Sequence, residues 1–208
     1  TYTEPTIFME YALDTARLAQ ERGLRNVFVT NGYQSPEAVD AMLGLIDAAN
    51  VDLKSFSDEF YRKQCGAELQ PVLDNIARMH EGGMHVEVTT LVVPGLNDSE
   101  EELRSIAAFL AGVSENMPWH VSRFHPDYEA TDIEATPVET MLRAGEIGLE
   151  EGLRFVYLGN VLLPEGSDTA CPECGEVVIR RQGLGRTECA LRQAACPGCG
   201  AELPIVLD

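Results

Sequence analysis

The chain has 208 residues, of which 45% are hydrophobic and 24% are charged, and its net charge is −19. This composition is that of a folded protein with one domain of ordinary size and a small additional unit. The acidic balance argues against a nucleic-acid partner, because phosphate groups are bound by clustered Lys and Arg. No apolar run approaches the roughly 18 residues of a membrane span and no secretory signal is visible, so a cytoplasmic protein without a membrane partner is predicted.

Helix and strand signals alternate from residue 1 to about residue 160. Ser35 precedes a proline at the first position of a predicted helix, which is a favourable N-terminus. Ser99 with Glu102, and Thr136 with Glu139, have the spacing of capping boxes and predict the starts of two later helices. The apolar stripes of the predicted helices before residue 80 are Ile7 to Ala19, Val39 to Ile46 and Val72 to Met79.

The predicted strands lie in the segments NVFVT, ANVDLK, MHVEVTTLVV, WHVSRF and LRFVYLGN. Strands that alternate with helices form a parallel sheet through crossover connections. Polar residues cluster where strands end, and the carboxyl ends of parallel strands form the active-site face of barrel-like enzymes. The pattern therefore favours an enzyme over a structural domain. These polar residues are Thr3, Glu4, Thr30, Asn31, Gly32, Asp52, Lys54, Thr89, Thr90, Ser122, Arg123, His125, Asp127, Gly159 and Asn160.

The C-terminal region differs in character, because a PEGSDTA linker leads into a segment with strand-like runs and no helix signal. Two copies of one motif lie there, CPECG at 171–175 and CPGCG at 196–200. Each C-x-x-C turn brings two thiolates to one metal ion, so Cys171, Cys174, Cys196 and Cys199 predict a closed four-sulfur site. Structural zinc is the favoured metal, and rubredoxin-type iron is the alternative because it accepts the same ligands. A unit of this size needs the metal to fold.

The other two cysteines stand apart from these motifs. Cys189 lies between the motifs and is predicted to be a small buried residue. Cys65 follows the segment YRKQ without a cysteine nearby, and no chemistry is predicted for it. Without a secretory signal, the cysteines indicate a reduced protein with a metal site rather than a disulfide scaffold.

Five segments resemble, in order, those of one enzyme family: YTEPTIF, VFVTNGY, ANVDLKSFSDEFYRKQCGA, VEVTTLVVPGLNDSEEEL and PWHVSRFHPDY. They are similar to the radical S-adenosylmethionine (SAM) enzymes of the AmmeMemoRadiSam system, which in turn resemble pyruvate formate-lyase activating enzymes. The resemblance covers essentially the whole chain. It implies an α/β fold with a partial (β/α)6 radical SAM barrel that lacks its first strand, over residues 1–164, followed by a small rubredoxin-like zinc ribbon over residues 168–208.

The same resemblance assigns residues to SAM. Glu4 matches the last position of a glycine-glycine-glutamate motif that receives the SAM amino group, although its glycines are absent here. Asp52 and Lys54 match a D-x-K pair that holds the amino and carboxylate ends of SAM, and one anion beside one cation suits a zwitterion. The remaining implied contacts are Asn31 to the same ligand, His125 to the nucleoside, and Val92, Val93 and Leu96 to adenine.

Radical SAM enzymes bind a 4Fe-4S cluster through a C-x-x-x-C-x-x-C loop, and this sequence contains no such loop. In the family, the loop precedes the segment that matches TEPT. Thr1 is therefore expected to be the cut end of a fragment that lacks the first strand and the cluster ligands. The fragment itself is expected to be inactive, and no catalytic residue is assigned within it.

The function implied for the parent enzyme is reductive cleavage of SAM at the cluster to a 5′-deoxyadenosyl radical, which abstracts hydrogen from a substrate. The implied partners are a protein or peptide substrate, the other members of the AmmeMemoRadiSam system, and an electron donor such as flavodoxin or ferredoxin. Two alternatives remain open. Lys54 at a strand end also suits a Schiff-base lysine of an aldolase-type lyase, and a truncated chain also suits a non-catalytic binding module that acts through its ribbon.

Overall fold

The computed structural model describes residues 3–161, 163, 166–182 and 186–207. Within them the chain forms a five-stranded parallel sheet and a three-stranded antiparallel sheet. Each sheet has its own cluster of buried apolar side chains. Thr1, the predicted cut end, lies outside the described residues, and so do Pro164 and Glu165, where the predicted first domain ends and the predicted linker begins.

The main sheet consists of parallel strands arranged in chain order from β1 to β5. The strands are β1 Val27–Thr30, β2 Ala48–Asp52, β3 His85–Val92, β4 Trp119–Arg123 and β5 Val156–Gly159. The helices are α1 Met9–Gln20, α2 Pro36–Met42, α3 Asp58–Phe60, α4 Leu69–Glu81, α5 Glu100–Val113 and α6 Val138–Glu150, with a 3₁₀ turn at Pro5–Phe8 and a π-helical turn at Tyr61–Cys65. The predicted alternation of helices with strands of a parallel sheet is confirmed. None of the helices in the described residues is long and apolar enough to cross a membrane.

One face of the main sheet is buried and the other is open. Alternate residues along β1, β2 and β3 are buried, and they join buried residues of α2, α4, α5 and α6 in one apolar cluster. Within it, the Trp119 indole N–H donates to Thr90 Oγ1 (3.0 Å), and that hydroxyl donates to the Leu53 carbonyl (2.9 Å). These hydrogen bonds satisfy the polar group of a fully buried indole. The opposite face carries half-exposed polar side chains and is therefore the face available to a ligand.

Strand β1 lies at one edge of the main sheet, and β2 is its only neighbour among the described residues. Val27 and Val29 of β1 are 62% and 47% exposed. A groove of about 230 Å³ is lined by β1 and by residues of α1. An edge strand presents unpaired backbone N–H and C=O groups, so β1 can accept one further strand.

Helix α2 starts where the sequence predicts and ends earlier. The Ser35 hydroxyl accepts the Ala38 amide (3.3 Å), so Ser35 is the N-cap. The apolar stripe from Val39 to Ile46 predicts a longer helix, but α2 ends at Met42. The reason is the backbone that follows it, because Gly44 adopts a positive φ of 79° that continues no right-handed helix.

Helix α5 has half of its predicted capping box. The Ser99 hydroxyl accepts the Glu102 amide (3.2 Å), which confirms the predicted start of the helix. The Glu102 carboxylate does not return to Ser99, because it accepts hydrogen bonds from the Ser55 hydroxyl and the Phe56 amide. Glu102 therefore ties α5 to the segment that follows β2.

The capping box predicted for α6 at Thr136 and Glu139 is wrong. The Thr136 hydroxyl accepts the Phe124 amide (3.1 Å) and donates to the Val92 carbonyl (2.6 Å), so it is not free to cap the helix. No side chain caps α6, whose N-cap position is Pro137. The competing hydrogen bonds join the loop before α6 to the ends of β3 and β4.

The C-terminal unit, called the ribbon below, contains an antiparallel sheet of β6 Thr169–Ala170, β7 Val177–Gln182 and β8 Arg186–Cys189. No helix follows Glu150 in the described part of the chain, as the sequence predicts. Cys189 is exposed, so the prediction that it is buried is wrong. The ribbon is too small for a large core, and its buried apolar side chains among the described residues are Cys171, Val178, Leu191, Cys196 and Leu203.

The ribbon contacts the main sheet near the amino ends of its strands. Arg154, just before β5, forms an ion pair with Glu173 of the first cysteine motif. The Tyr157 hydroxyl lies 3.0 Å from Thr169 Oγ1, and the Arg181 guanidinium lies 5.4 Å above the Tyr157 ring. A stacked His120 ring, with its centroid 5.0 Å from that of Tyr157, continues this contact onto the open face of the main sheet.

Candidate functional site

Glu4 is held at the carboxyl end of β1. Its Oε1 atom accepts from the Thr6 amide (3.2 Å), the Thr6 hydroxyl (2.6 Å) and the Thr30 hydroxyl (2.7 Å). Its Oε2 atom accepts from the Asn31 amide (2.8 Å). Burial raises the pKa of Glu4, but the hydrogen bonds from Thr6, Asn31 and Thr30 outweigh burial and lower it overall. Glu4 is therefore an ionised carboxylate whose Oε2 atom keeps one acceptor position for a ligand.

Asn31 lies in the tight turn that follows β1. Its Oδ1 atom accepts the Tyr33 amide (2.9 Å), and its Nδ2 group makes no hydrogen bond to a described residue. The next residue, Gly32, has φ 70°, and a Cβ atom there would lie 2.7 Å from Val51 Cγ1. Glycine therefore allows the turn that presents the Asn31 amide to Glu4 and leaves the Asn31 side chain at the open edge.

Asp52 and Lys54 form an ion pair at the end of β2. The Lys54 Nζ atom lies 2.8 Å from Asp52 Oδ2, and the two side chains are 38% and 30% exposed. A pair this exposed contributes little to stability. It does place an anion beside a cation next to the end of β1, since Thr30 of β1 is the register partner of Val51. This arrangement is complementary to the zwitterionic head of an amino acid.

The backbone of Lys54 is held by two buried side chains that the sequence analysis missed. The Tyr61 hydroxyl accepts the Lys54 amide (3.0 Å), and the Lys54 carbonyl accepts from Asn97 Nδ2 (2.7 Å). Asn97 also donates to the Leu91 carbonyl (2.9 Å), and its Oδ1 atom accepts the Val93 amide (2.7 Å). Asn97 is 2% exposed. It therefore joins the Lys54 segment to the loop after β3. No short sequence motif predicts these contacts, because the contact with Lys54 spans 43 residues.

The three apolar residues assigned to adenine do not share one environment. Val92 is fully buried on the helix-covered face of β3, so its side chain cannot contact a ligand at the open edge. The assignment of Val92 is therefore wrong, and the reason is the alternation of side chains along a strand. Val93 is half-buried and Leu96 is 43% exposed, so both side chains are available beside the Lys54 segment.

His125 lies further along the same edge, after β4. Its Nε2 atom is 3.0 Å from the Asn160 carbonyl. A carbonyl oxygen only accepts, so Nε2 donates and Nδ1 is the ring nitrogen that remains for a ligand. Glu4 and Asn31 at the end of β1 lie beside Asp52 and Lys54 at the end of β2. His125 follows β4, which is two strands away from β2 in the sheet.

The four ribbon cysteines converge on one point. Their sulfur atoms all lie within 4.8 Å of one another, with 3.7 Å between Cys171 and Cys199 and 3.6 Å between Cys174 and Cys196. A tetrahedral zinc ion with Zn–S bonds of about 2.3 Å separates its sulfurs by about 3.8 Å. The donor set therefore fits a tetrahedral metal ion.

The two cysteine motifs have the same backbone geometry. The Gly175 amide donates to the Cys171 carbonyl and the Gly200 amide donates to the Cys196 carbonyl, both at 2.8 Å. The glycines have φ 76° and 79°, which a residue with a side chain rarely adopts.

Comparison with known proteins gives the family. Residues 1–110 match the model of the Radical SAM superfamily. An uncharacterized protein of Methanocaldococcus jannaschii, MJ0808, is 42% identical over an alignment of 210 positions, which covers all of this chain and 62% of that protein. The isethionate sulfite-lyase activating enzyme of Oleidesulfovibrio alaskensis is 30% identical over 122 residues, which are 56% of this chain and 40% of that enzyme. The chain thus spans less than two thirds of the length of these curated relatives.

The fold comparison agrees with the family match. A domain of pyruvate-formate lyase-activating enzyme from Bacteroides vulgatus superimposes with a TM-score of 0.68 at 20% identity, over 76% of this chain and 95% of that domain. At this identity the likeness shows the α/β fold with its parallel sheet. The family model covers more than half of the chain and includes the ends of β1, β2 and β3. The chain belongs to the radical SAM superfamily and is related to its activating enzymes.

Proposed function

We propose that the carboxyl edge of the main sheet binds SAM and that the chain is part of a radical SAM enzyme. The observation that carries the proposal is the half-exposed Asp52–Lys54 ion pair beside the Glu4 carboxylate at the next strand end. Asp52 and Oε2 of Glu4 would accept from the SAM ammonium group, and Lys54 would donate to its carboxylate. The Asn31 amide group would reach the same head, Val93 and Leu96 would contact adenine, and His125 would contact the nucleoside through Nδ1.

Titration of SAM into variants of the ion pair tests this site. Asp52→Ala and Lys54→Ala are each expected to raise the dissociation constant roughly tenfold to hundredfold, because each removes one charge-assisted hydrogen bond to the ligand. Isothermal titration calorimetry measures the effect. Asp14→Ala is the matched control, because it removes the acid of a more exposed ion pair, with Arg17, outside the site. Wild-type affinity for SAM in both test variants would show that the Asp52–Lys54 pair is a solvated surface contact and does not bind SAM.

The 4Fe-4S cluster of the proposed enzyme would be held outside this chain. When bound, the cluster supplies the electron that cleaves SAM. The sequence has six cysteines, of which four converge in the ribbon, and it contains no C-x-x-x-C-x-x-C loop. We place the cluster on a segment that precedes Thr3 and adds a strand to β1. The free edge of β1, the exposed side chains of Val27 and Val29, and the groove against α1 support that placement.

A longer form of the protein tests the cluster proposal. With a C-x-x-x-C-x-x-C segment upstream of Thr3, anaerobically reconstituted protein is expected to be brown and to form 5′-deoxyadenosine from SAM and dithionite. The 208-residue chain, treated in the same way, is expected to form no 5′-deoxyadenosine. It lacks the three neighbouring cysteines that would hold three irons of the cluster and leave the fourth iron open to SAM. Formation of 5′-deoxyadenosine by the 208-residue chain would contradict the placement.

The proposal extends to the substrate, the partners, the cellular location and the domain bounds of the protein. The relative from Oleidesulfovibrio is an activating enzyme of isethionate sulfite-lyase, which supports a protein or peptide as the target of hydrogen abstraction. We further propose membership of the AmmeMemoRadiSam system, an electron donor of the flavodoxin or ferredoxin type, and a cytoplasmic location. The division into a partial barrel at 1–164 and a zinc ribbon at 168–208 is part of this proposal, supported by the two separate apolar clusters.

The two alternative functions have less support. A Schiff-base lysine attacks through an amine that is free to reach the substrate, whereas Lys54 Nζ is engaged by Asp52 Oδ2 at 2.8 Å. Borohydride trapping of a carbonyl compound on Lys54 would favour the lyase over the radical enzyme. A non-catalytic module would leave the polar residues at the ends of β1 and β2 without a role, and an absence of SAM binding in the longer protein would favour it.

A further inference from the structure

A cavity of about 290 Å³ lies between the amino ends of the main-sheet strands and the ribbon. Its apolar wall includes Val27, Ala48 and Phe155 from the main sheet side and Ile179 and Ile205 from the ribbon side. His85, at the first position of β3, also lines the cavity. The strand β3 runs from His85 to Val92, so at about 3.3 Å per residue the cavity lies roughly 23 Å from the carboxyl edge. The proposed SAM site uses none of these residues.

Two arginines line this cavity without an acidic partner. Neither Arg25 nor Arg181 forms an ion pair with a described residue, although the sequence has 34 acidic residues and only 15 Lys and Arg. Arg181 uses Nη1 for the Ser167 carbonyl and the Thr169 hydroxyl, both at 2.8 Å. Its Nε and Nη2 groups therefore remain for a ligand. A planar guanidinium with two free parallel donors is suited to a carboxylate.

The acidic residues of the cavity already have partners. Asp47 Oδ2 accepts the Asn26 amide (2.7 Å). Glu87 lies between two imidazoles, with Oε2 at 2.8 Å from His120 Nε2 and Oε1 at 3.4 Å from His85 Nε2. Hydrogen bonds from His120 and then His85 hold the pKa of Glu87 far below its usual range. Each of these carboxylates is therefore held by hydrogen-bond donors of the protein, whereas Arg25 and the Nε and Nη2 groups of Arg181 make no hydrogen bond to a described residue.

We infer that this cavity is a binding site for a small carboxylate with an apolar body. The apolar body packs between Phe155 and Ile205, and the carboxylate binds Arg181 at the inner end, with Arg25 at the exposed mouth. The inference does not depend on SAM binding, because the two sites lie at opposite ends of the strands. It adds a ligand site whose walls come from both units, so ligand affinity depends on a folded ribbon.

Three probes with the same body and different charge test the inference on the metal-loaded 208-residue chain. Phenylacetate, phenylacetamide and 2-phenylethylamine are titrated at millimolar concentration, and binding is followed by methyl NMR spectra of Val27, Ile179 and Ile205. Phenylacetate is expected to bind at least about tenfold more tightly than the neutral amide, and the amine is expected to bind no better than the amide. Equal affinity for the three probes, or no shift of these methyl signals with phenylacetate, would overturn the inference.

Substitution of the two arginines tests whether Arg181 and Arg25 cause the preference for the carboxylate probe. Arg181→Gln is expected to weaken phenylacetate at least about tenfold, and Arg25→Gln to weaken it several-fold. Arg25 makes no hydrogen bond to a described residue, so Arg25→Gln leaves the fold unchanged even if Arg181→Gln loosens the ribbon. Arg22→Gln is the matched control, since Arg22 is also exposed and lies outside the cavity lining. Unchanged phenylacetate affinity in both test variants would refute the site.

Discussion

Removal of the metal proposed for the ribbon is expected to unfold the ribbon and to leave the main sheet folded. Among its described residues the apolar cluster of the ribbon has five buried members, of which Cys171 and Cys196 belong to the proposed metal site. In zinc-finger peptides the metal contributes roughly 10–16 kcal/mol, which exceeds what so small a core can supply. The main sheet keeps its own much larger cluster. We expect about one zinc per chain by elemental analysis, and iron in its place would identify a rubredoxin-type centre.

Two spectroscopic signals separate the units in this experiment. The only tryptophan, Trp119, is fully buried in the main cluster, so its fluorescence reports the main sheet alone. Amide exchange at Ala190 and Leu203 reports the ribbon, because these amides donate to the Val178 and Ala194 carbonyls. Chelation should abolish protection of the ribbon amides and leave Trp119 emission unchanged. Protected ribbon amides in the metal-free protein would contradict the prediction.

Cysteine variants provide the matched comparison. The double variant Cys171→Ser with Cys199→Ser is expected to lose the metal, because it removes one ligand from each motif. The double variant Cys65→Ser with Cys189→Ser changes the same number of sulfur atoms outside the site, and both of those residues are exposed. It should retain the metal and the ribbon amide protection. Equal metal content in the two double variants would exclude the four-cysteine site.

Asn97→Ala is expected to lower both the free energy of unfolding and the affinity for SAM. The side chain makes hydrogen bonds to the backbone of Lys54, Leu91 and Val93 from a position that is 2% exposed. Leaving these buried groups without their partner should cost on the order of 3 kcal/mol. Because two of the three groups lie in segments assigned to SAM, the dissociation constant should also rise about tenfold. Urea unfolding followed by Trp119 fluorescence, and calorimetric titration of SAM, measure the two effects.

A second asparagine separates the two effects. Asn26 donates to the Ala16 and Leu45 carbonyls at 3.0 and 2.9 Å, and it precedes β1 at the amino end of the strands. Asn26→Ala should destabilise the fold without changing the affinity for SAM. Equal losses of SAM affinity in Asn26→Ala and Asn97→Ala would show that Asn97 acts through global stability alone.

The sequence predicted those parts of the fold that depend on local pattern. Ser35 and Ser99 cap α2 and α5 because their hydroxyls reach amides three residues ahead, and this geometry is encoded within a few positions. The same reasoning was wrong for Thr136, whose hydroxyl finds the Val92 carbonyl 44 residues away. A capping-box motif shows which local hydrogen bond a threonine can form, but it does not show which long-range partner competes for the hydroxyl in the folded chain. Sequence motifs therefore fail to predict helix caps where a long-range hydrogen bond is formed instead.

The candidate site shows the same limit. Asp52 and Lys54 could be paired from the sequence, because residues two apart on a strand share a face. The same alternation should have excluded Val92, since its buried neighbours Val88 and Thr90 lie on its own face of β3. Asn97 was beyond reach, because its contact with Lys54 closes a loop of 43 residues.

The free edge of β1 also bears on the behaviour of the protein in concentrated solution. An exposed strand with Val27 and Val29 and no charged residue between Val27 and Thr30 can pair with another molecule. The net charge of −19 keeps molecules apart at low ionic strength, whereas at about 0.1 M salt the screening length is only about 10 Å. The 208-residue chain should therefore scatter little light in dilute buffer and associate as salt is added. Colloidal stability would thus depend on repulsion across a strand edge that nothing described in this chain covers.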